Sequence, residues 1–360
     1  MTRRDDRYWM QRCLALAAKG EGATGSNPLV GAVIVKNGRK IAEGFHRRFG
    51  GPHAEIEAFR AADRRKGNVS GGTMYVSLEP CRHHGKTPPC VDEVIRRGIR
   101  RVVIPMTDPN PLVAGRSVRK LRRNGITCVV GMCREDAERQ NERFLHWIST
   151  GRPFVALKIA MTKDAFIARK DGTSKWITSE RSRTYAHRLR VRYDAVLVGA
   201  GTVLADDPSL TVRHVRGRNP VRVVLDGRLR SPLESSVFNG EAPTIVYTLR
   251  SAPQKRADAL RKRGVTVVPV GKGKGVPMRQ VMKDLARRGI SSVLVEGGAA
   301  VYAQCLDAGL VSKLYLFTAP VRFRDGLSPF RALNVPRTFR RGRCRRLGPD
   351  LLEEWYPEQP

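Results

Sequence analysis

The sequence predicts an α/β protein of two domains, and three observations carry that reading. The chain has 360 residues, more than one hydrophobic core usually supports. Short apolar, β-branched runs alternate with segments of helical spacing along both halves, the pattern of sheets covered by helices. Between the halves, Ser149-Thr150-Gly151-Arg152-Pro153 has the composition of a short linker. The expected domains are therefore 1–149 and 150–360.

In the first domain, residues 7–19 place Met10, Cys13, Leu14 and Ala17 at helical spacing, and Gly20-Glu21-Gly22 ends the helix. Leu29 to Val35 reads as a strand, and Asn37-Gly38 is a hairpin signal leading into Lys40 to Gly44. Pro52 introduces a helix over Ala54 to Arg65, with Ile56, Ala58, Phe59 and Ala62 available to a core. Met74 to Leu78 is a short strand, and Cys90 opens a helix over Val91 to Arg97. Val102 to Met106 and Ile126 to Val130 are apolar runs on either side of a helix over Gly115 to Arg123, and residues 134–148 read as one amphipathic helix closing the domain. In the second domain the strand-like runs are Phe154 to Met161, Ala195 to Val198, Val221 to Leu225, Thr244 to Tyr247, Val265 to Val270, Val293 to Val295 and Leu314 to Thr318. The densest arginine run, Arg337 to Arg346, reads as a surface segment.

Lys and Arg number 67 against 33 acidic residues, a formal net charge of +34. Such a balance attracts polyanions and phosphorylated metabolites and says nothing of fold. The arginines are scattered without interleaved aromatics, which argues for a solvated basic surface over a nucleic-acid track. Seven cysteines make no even disulfide framework, and thiols kept reduced for a metal suit the cytoplasm. The first residues lack the apolar core of a signal peptide, and no stretch approaches the ~20 apolar residues that span a bilayer.

The chemistry lies in His53-Ala54-Glu55 and in Pro80-Cys81 with Cys90. One histidine and two cysteines are three ligands for Zn²⁺, and three protein ligands leave the fourth tetrahedral position to water. Glu55 stands two residues from His53, about 200° round a helix, so it reads as a general base and not as a co-ligand. Zinc lowers the pKa of its bound water to about 7, and a carboxylate beside it can pass that proton to a leaving amine. H-x-E followed by P-C and a second cysteine is the signature of zinc nucleoside and nucleobase deaminases. The common second half is P-C-x-x-C, whereas eight residues separate Cys81 from Cys90 here, among them His83, Gly85, Lys86 and two prolines. On these motifs alone a nucleic-acid-editing deaminase and a non-catalytic zinc protein that binds nucleic acid stay open. The turns Gly199-Ala200-Gly201-Thr202 and Glu296-Gly297-Gly298-Ala299 follow strands but complete no G-x-G-x-x-G, so each alone is weak evidence for a nucleotide.

Asn27-Pro28, Val30 to Val35, Gly44-Phe45-His46, His53-Ala54-Glu55, Leu78 to Cys90 and Asp108-Pro109-Asn110-Pro111 together resemble the bifunctional deaminase/reductase family of riboflavin biosynthesis. The resemblance continues through Lys158-Ile159-Ala160-Met161, Ser174 to Thr178, Asp194 to Gly199, Asp206-Asp207-Pro208, Leu210 to Arg213, Leu225-Asp226-Gly227 and Val295 to Gly298. It implies a three-layer cytidine-deaminase-like domain followed by a dihydrofolate-reductase-like domain. It implies zinc on His53, Cys81 and Cys90, with Asn27, His46, His83 and Lys86 contacting a phosphorylated pyrimidine nucleotide. NADPH would be lined by Ala160, Trp176, Thr202, Asp206, Gly227 and Gly298, and the ribosylamino phosphate held by Ser174, Arg190, Leu210, Arg213 and Glu296. Family likeness further implies a homo-oligomer, with neither membrane nor nucleic acid as partner. Two stretches depart from the family pattern. Thr162-Lys163-Asp164-Ala165-Phe166 lacks the family's glycine and following lysine, and Pro320 to Gly326 replaces a glycine-rich turn. A deaminase with an impaired reductase half is the alternative these departures raise, and Ala165 matters if its turn needs positive φ.

Overall fold

Alternate residues of the first strand face different helices, which makes the N-terminal half a three-layer sandwich. The computed structural model describes residues 5–82, 89–110, 114–173, 176–273, 275–330, 335 and 337–358. It divides into two compact units, Met1–Gly151 and Arg152–Pro360.

The first unit runs α1 (Asp6–Ala17), β1 (Gly31–Lys36), β2 (Arg39–Phe45), α2 (Ala54–Arg64), β3 (Thr73–Val76), α3 (Cys90–Arg96), β4 (Arg101–Ile104), α4 (Arg116–Arg123), β5 (Thr127–Val130), α5 (Arg134–Gln140) and α6 (Glu142–Thr150). The sheet order is β2-β1-β3-β4-β5, with β1 antiparallel to both neighbours and β3, β4 and β5 parallel. Ala32 and Ile34 of β1 join the core formed with α2, α3 and α4, while Val33 and Val35 pack with Trp9, Met10, Cys13 and Leu16 of α1. The hairpin turn takes Asn37 and Gly38 at φ 52° and 74°, as its sequence demands. Gly44 lets α2 lie directly on β2, since a Cβ there would sit 2.4 Å from the Ala58 nitrogen. The expected single helix over 134–148 is two. Asn141, at φ −105°, breaks it because its buried amide is committed to β1's approach: Oδ1 accepts from Leu29 N at 2.8 Å, and Nδ2 donates to Leu29 O at 3.0 Å.

The second unit runs β6 (Phe154–Met161), α7 (Glu180–Arg192), β7 (Ala195–Gly199), α8 (Ala200–Asp206), β8 (Val221–Leu225), β9 (Thr244–Thr248), α9 (Gln254–Lys262), β10 (Thr266–Pro269), α10 (Met278–Arg287), β11 (Ser292–Gly297), α11 (Ala299–Asp307), β12 (Val311–Thr318), β13 (Phe339–Leu347) and β14 (Asp350–Pro357). Its nine strands lie in the order β10-β9-β8-β7-β11-β6-β12-β14-β13. All neighbours from β10 to β12 are parallel, and β14 and β13 complete the sheet antiparallel. Val155, Leu157 and Ile159 face the α10 and α11 side, whereas Phe154 and Ala156 pack on Tyr185 and Leu189 of α7, so both faces are covered. The arginine run expected to be a bare surface segment is β13, whose residues from Arg340 to Arg346 are all exposed at the sheet edge. An edge strand rich in cations resists pairing with another chain.

The two stretches that depart from the family pattern meet. Lys163 N donates to Val321 O at 2.8 Å, and the Asp164 carboxylate accepts from Phe323 N at 3.3 Å and Arg324 N at 2.8 Å. The Arg169 guanidinium lies 4.2 Å from the Phe323 ring centroid. Ala165 sits at φ +65°, the left-handed region where a glycine is free of strain. A Cβ there costs ~1–2 kcal/mol, partly offset by the greater unfolded-state entropy of glycine. Ala165→Gly is therefore expected to raise stability by about 0.5–1 kcal/mol in equilibrium denaturation. A loss of similar size would show that the turn is not strained.

Candidate active sites

The C-terminal end of β3 and the starts of two helices build the first site. His53 is the residue before α2, with extended backbone (φ −72°, ψ 163°), and Glu55 lies in that helix's first turn. Cys81 follows β3 by a short loop, and Cys90 is the first residue of α3. His53 Nδ1 lies 3.3 Å from Cys90 Sγ and 3.4 Å from Cys81 Sγ, and the three donor atoms are all within 4.8 Å of one another. Tetrahedral zinc with bonds of ~2.0–2.3 Å places its donors roughly 3.5 Å apart, so this donor set fits the metal in kind and in spacing. Among the described residues no other group of His, Cys, Asp or Glu meets in this way.

The electrostatics follow from burial and mutual contact. Cys81 is pulled down to about 4 by the Cys90 thiol beside it and by His53, and its sulfur also accepts from Cys90 N at 3.3 Å. The adjacent Cys81 sulfur and burial push the Cys90 thiol up. His53 rises to about 8 through Cys81. Glu55, 3% exposed, is raised to about 7 by burial and then by the Cys81 charge, and its carboxyl reaches the Cys90 sulfur. A carboxyl titrating near neutrality can both take and give a proton there.

Asn27 and His46 join this site. His46 Nδ1 donates to Pro52 O at 3.0 Å, which leaves Nε2 to accept from Asn27 Nδ2 at 3.2 Å. Burial lowers the His46 pKa, in keeping with a neutral ring, and that ring stands edge-on to His53 with centroids 5.7 Å apart. His83 and Lys86 lie outside the described residues. Glu79 is a functional neighbour that motif reading left aside. Its buried carboxylate accepts from four backbone N–H groups, those of Asp108 (3.0 Å), Gly115 (2.8 Å), Ser117 (2.9 Å) and Val118 (3.1 Å). It thereby ties the start of α4 to the segment that carries Cys81.

In the second unit a cavity of about 900 Å³ opens at the C-terminal ends of the parallel strands, where open α/β sheets bind ligands. The glycine turns after β7 and β11 converge there: a Cβ on Gly297 would come within 2.7 Å of Thr202 Oγ1, and Gly298 has φ +89°. Bare backbone at the start of α11 suits close approach by a dinucleotide's phosphates. Ala160, Trp176, Thr202, Asp206, Gly227 and Gly298 all line this cavity, as do Arg190, Leu210, Arg213 and Glu296. Trp176 is 71% exposed, with the Arg183 guanidinium 4.7 Å from its ring centroid. This large apolar ring offers a stacking surface at the cavity. Ser174 lies outside the described residues.

One detail departs from expectation. Arg190 does not present its fork to a phosphate. Nε and Nη2 bond the two Glu296 oxygens at 2.6 and 3.0 Å, and Nη1 donates to Thr211 O at 2.8 Å. The same helix holds the adjoining chain through His187, whose Nδ1 accepts from Arg213 N at 3.1 Å. Burial, with Arg190 and His214 nearby, lowers His187 to about 4 and keeps that acceptor neutral. Arg213, whose Nη1 donates to Thr211 Oγ1 at 3.3 Å, also lines the cavity.

Lys158, which opens one of the family-like stretches but carries no role there, also lines the cavity. Burial lowers its pKa while Glu296 works against that shift. Burial opposes the Glu296 charge, yet the Arg190 guanidinium and Lys158 hold that carboxyl below its ordinary value. The signal was a lone lysine inside an otherwise apolar strand.

A histidine–dicysteine site with a buried carboxylate, followed by a nucleotide-sized cavity on a parallel sheet, defines a zinc deaminase joined to a nucleotide-dependent reductase. Residues 3–106 match the cytidine and deoxycytidylate deaminase zinc-binding region, and residues 153–352 match the RibD C-terminal domain. The riboflavin biosynthesis protein RibD of Aquifex aeolicus is 42% identical over 358 residues, covering 98% of both chains, and that of Escherichia coli is 39% identical over 329 residues, covering 88% of both. A Thermotoga maritima structure described as a diaminohydroxyphosphoribosylaminopyrimidine deaminase/5-amino-6-(5-phosphoribosylamino)uracil reductase superposes with a TM-score of 0.87 at 41% identity, covering 98% of each chain. Acinetobacter baumannii RibD gives 0.84 at 35% identity, covering 98% of this chain and 99% of that one. The chain belongs to the RibD family, bifunctional deaminase/reductases of riboflavin biosynthesis that use zinc and NADPH. Among the described residues no helix is long and apolar enough to cross a membrane.

Proposed function

We propose that the first unit deaminates 2,5-diamino-6-ribosylamino-4(3H)-pyrimidinone 5′-phosphate and that the second reduces the ribosyl group of the product to ribityl. The observation that carries this reading is the meeting of His53, Cys81 and Cys90 beside the buried Glu55. Zinc held by those three side chains supplies an activated water and electrophilic stabilisation. Glu55 takes a proton from the attacking water and delivers it to the departing amine, so that ring C–N cleavage releases ammonia and leaves a carbonyl. Asn27 and the neutral His46 orient the pyrimidine, and His83 and Lys86 of the intervening loop serve the same substrate, Lys86 as a point charge for its phosphate.

In the second unit bound NADPH would supply the hydride for reduction at ribose C1′. Ala160, Trp176, Thr202, Asp206, Gly227 and Gly298 hold that cofactor. Ser174, Leu210 and Arg213 hold the ribosylamino phosphate, with Arg190 clamping Glu296 and the backbone beside Arg213. Lys158 is the candidate proton donor to the ring oxygen that leaves C1′, an ammonium that burial makes readier to give up its proton. We assign the two activities to residues 1–149 and 150–360, place the enzyme in the cytoplasm and expect a homo-oligomer.

Incubation of the zinc-loaded protein with the diamino nucleotide tests the whole sequence of steps. Without NADPH, mass analysis should find one amino group replaced by oxygen and an equivalent of ammonia. With NADPH, two further hydrogens should appear. Release of ammonia from tRNA and none from the nucleotide would overturn the assignment.

A further inference from the structure

The segment that carries Cys81 is fixed at three points. Ser77 N donates to Gly31 O and Ser77 Oγ accepts from Gly31 N, each at 3.0 Å, which anchors its start to β1. At its end Cys81 O accepts from Val91 N at 3.1 Å and Cys90 N reaches Cys81 Sγ, so α3 holds the ligand itself. Between them stands Glu79, whose bonds lead away from the metal site. Its Oε2 takes the N–H groups of Asp108 and Gly115, and its Oε1 those of Ser117 and Val118.

The start of α4 has no cap of its own. The residue before it is Gly115, at φ +75°, which has no side chain to bond the free N–H groups. Glu79 supplies that cap from 36 residues upstream, and its charge suits the positive end of the helix dipole. Capping accounts for the stability of α4 and leaves unexplained why the cap stands two residues before a zinc ligand. The residue between them is Pro80, whose ring locks φ at about −65° and drives Glu79 to extended backbone. Few soft torsions therefore separate Glu79 from Cys81. A displacement of the carboxylate passes on to the sulfur, and zinc tolerates donor distances only within about 0.2 Å.

We propose that Glu79 is a positioning residue of the zinc site, its four hydrogen bonds to the 108–118 segment setting where Cys81 delivers its thiolate. This rests on His53, Cys81 and Cys90 as the ligands. Because each oxygen meets two donors, the carboxylate is fixed in rotation as well as in place. Glutamine keeps the volume but turns an NH₂ toward two of those N–H groups.

Zinc affinity, by competition with a chromophoric chelator, and the absorption spectrum of the full-length protein loaded with Co²⁺ in place of zinc test this without turnover. Glu79→Gln should weaken zinc about 10–100-fold, the usual effect of removing a group that orients a ligand. The thiolate-to-cobalt charge-transfer band should fall toward about half, since Cys90 stays and Cys81 is misplaced. Glu79→Asp keeps the charge and both acceptors on a shorter arm, and should bind zinc more weakly than the parent and more tightly than the glutamine variant. Leu121→Ala is the control. It loosens α4 from its packed face, where Leu121 is fully buried, and should lower the melting temperature with both metal readouts unchanged. A Glu79→Gln protein that melts early yet keeps the parental zinc affinity and cobalt spectrum would overturn the proposal and leave Glu79 a helix cap alone. Should that variant not fold, parental affinity in Glu79→Asp overturns it equally. A parental cobalt spectrum without two thiolates would instead overturn the ligand assignment, and the proposal with it.

Discussion

Glu55→Gln should keep a full equivalent of zinc and lose about three orders of magnitude in ammonia release, the middle of the range a positioned general acid/base supplies. The prediction is sharp because the substitution is isosteric at a site 3% exposed. An amide fills the same volume without a charge, so neither the packing nor the three zinc ligands are altered. Only the ability to carry a proton goes. Reductase turnover with pre-deaminated substrate should be untouched. Deamination at the parental rate would remove Glu55 from the mechanism, and loss of zinc would make it a structural support of the metal site.

The second large effect is expected at Lys158. Lys158→Met should lower the reduction rate about a hundredfold or more, the lower range for loss of a general acid, with ammonia release unchanged. Burial already disfavours this ammonium, and Glu296 keeps its bidentate partner Arg190 when the lysine is gone. The fold should therefore survive, and thermal denaturation of the variant would verify that. NADPH oxidation at the parental rate would show that the proton comes from elsewhere.

Much of the architecture was legible in the sequence because the strands carry their own signature. Phe154 to Met161 and Val221 to Leu225 were read with their observed limits, since parallel strands buried on both faces are continuous apolar runs. The strands at the C-terminus were not. β13 is arginine on both faces because it is a solvated edge, so neither alternation nor an apolar run marks it. The break at Asn141 was hidden for a different reason. The apolar spacing continues across it, and the amide's tie to Leu29 joins residues 112 apart.

The sites divide in the same way. The zinc ligands and Glu55 could be read because a metal demands particular side chains, in an order that survives folding. Arg190 could be found but not its use, because its partner Glu296 lies 106 residues further along the chain. Lys158 stands in a family-like stretch, but its use could not be read there, because in a chain with 67 lysines and arginines only position in a cavity separates a working cation from the background. The residue that predicted its own strain was Ala165, since a turn that needs positive φ remains the same turn whatever side chain occupies it.

X-ray absorption at the zinc edge of the loaded protein bears most directly on the claim that this cluster is an open catalytic centre. Two sulfur scatterers at ~2.3 Å, one imidazole nitrogen and one further light-atom ligand at ~2.0 Å that cyanide or another small anion can replace are the expected result. Four protein ligands with nothing exchangeable, or a metal shell lacking two sulfurs, would contradict it.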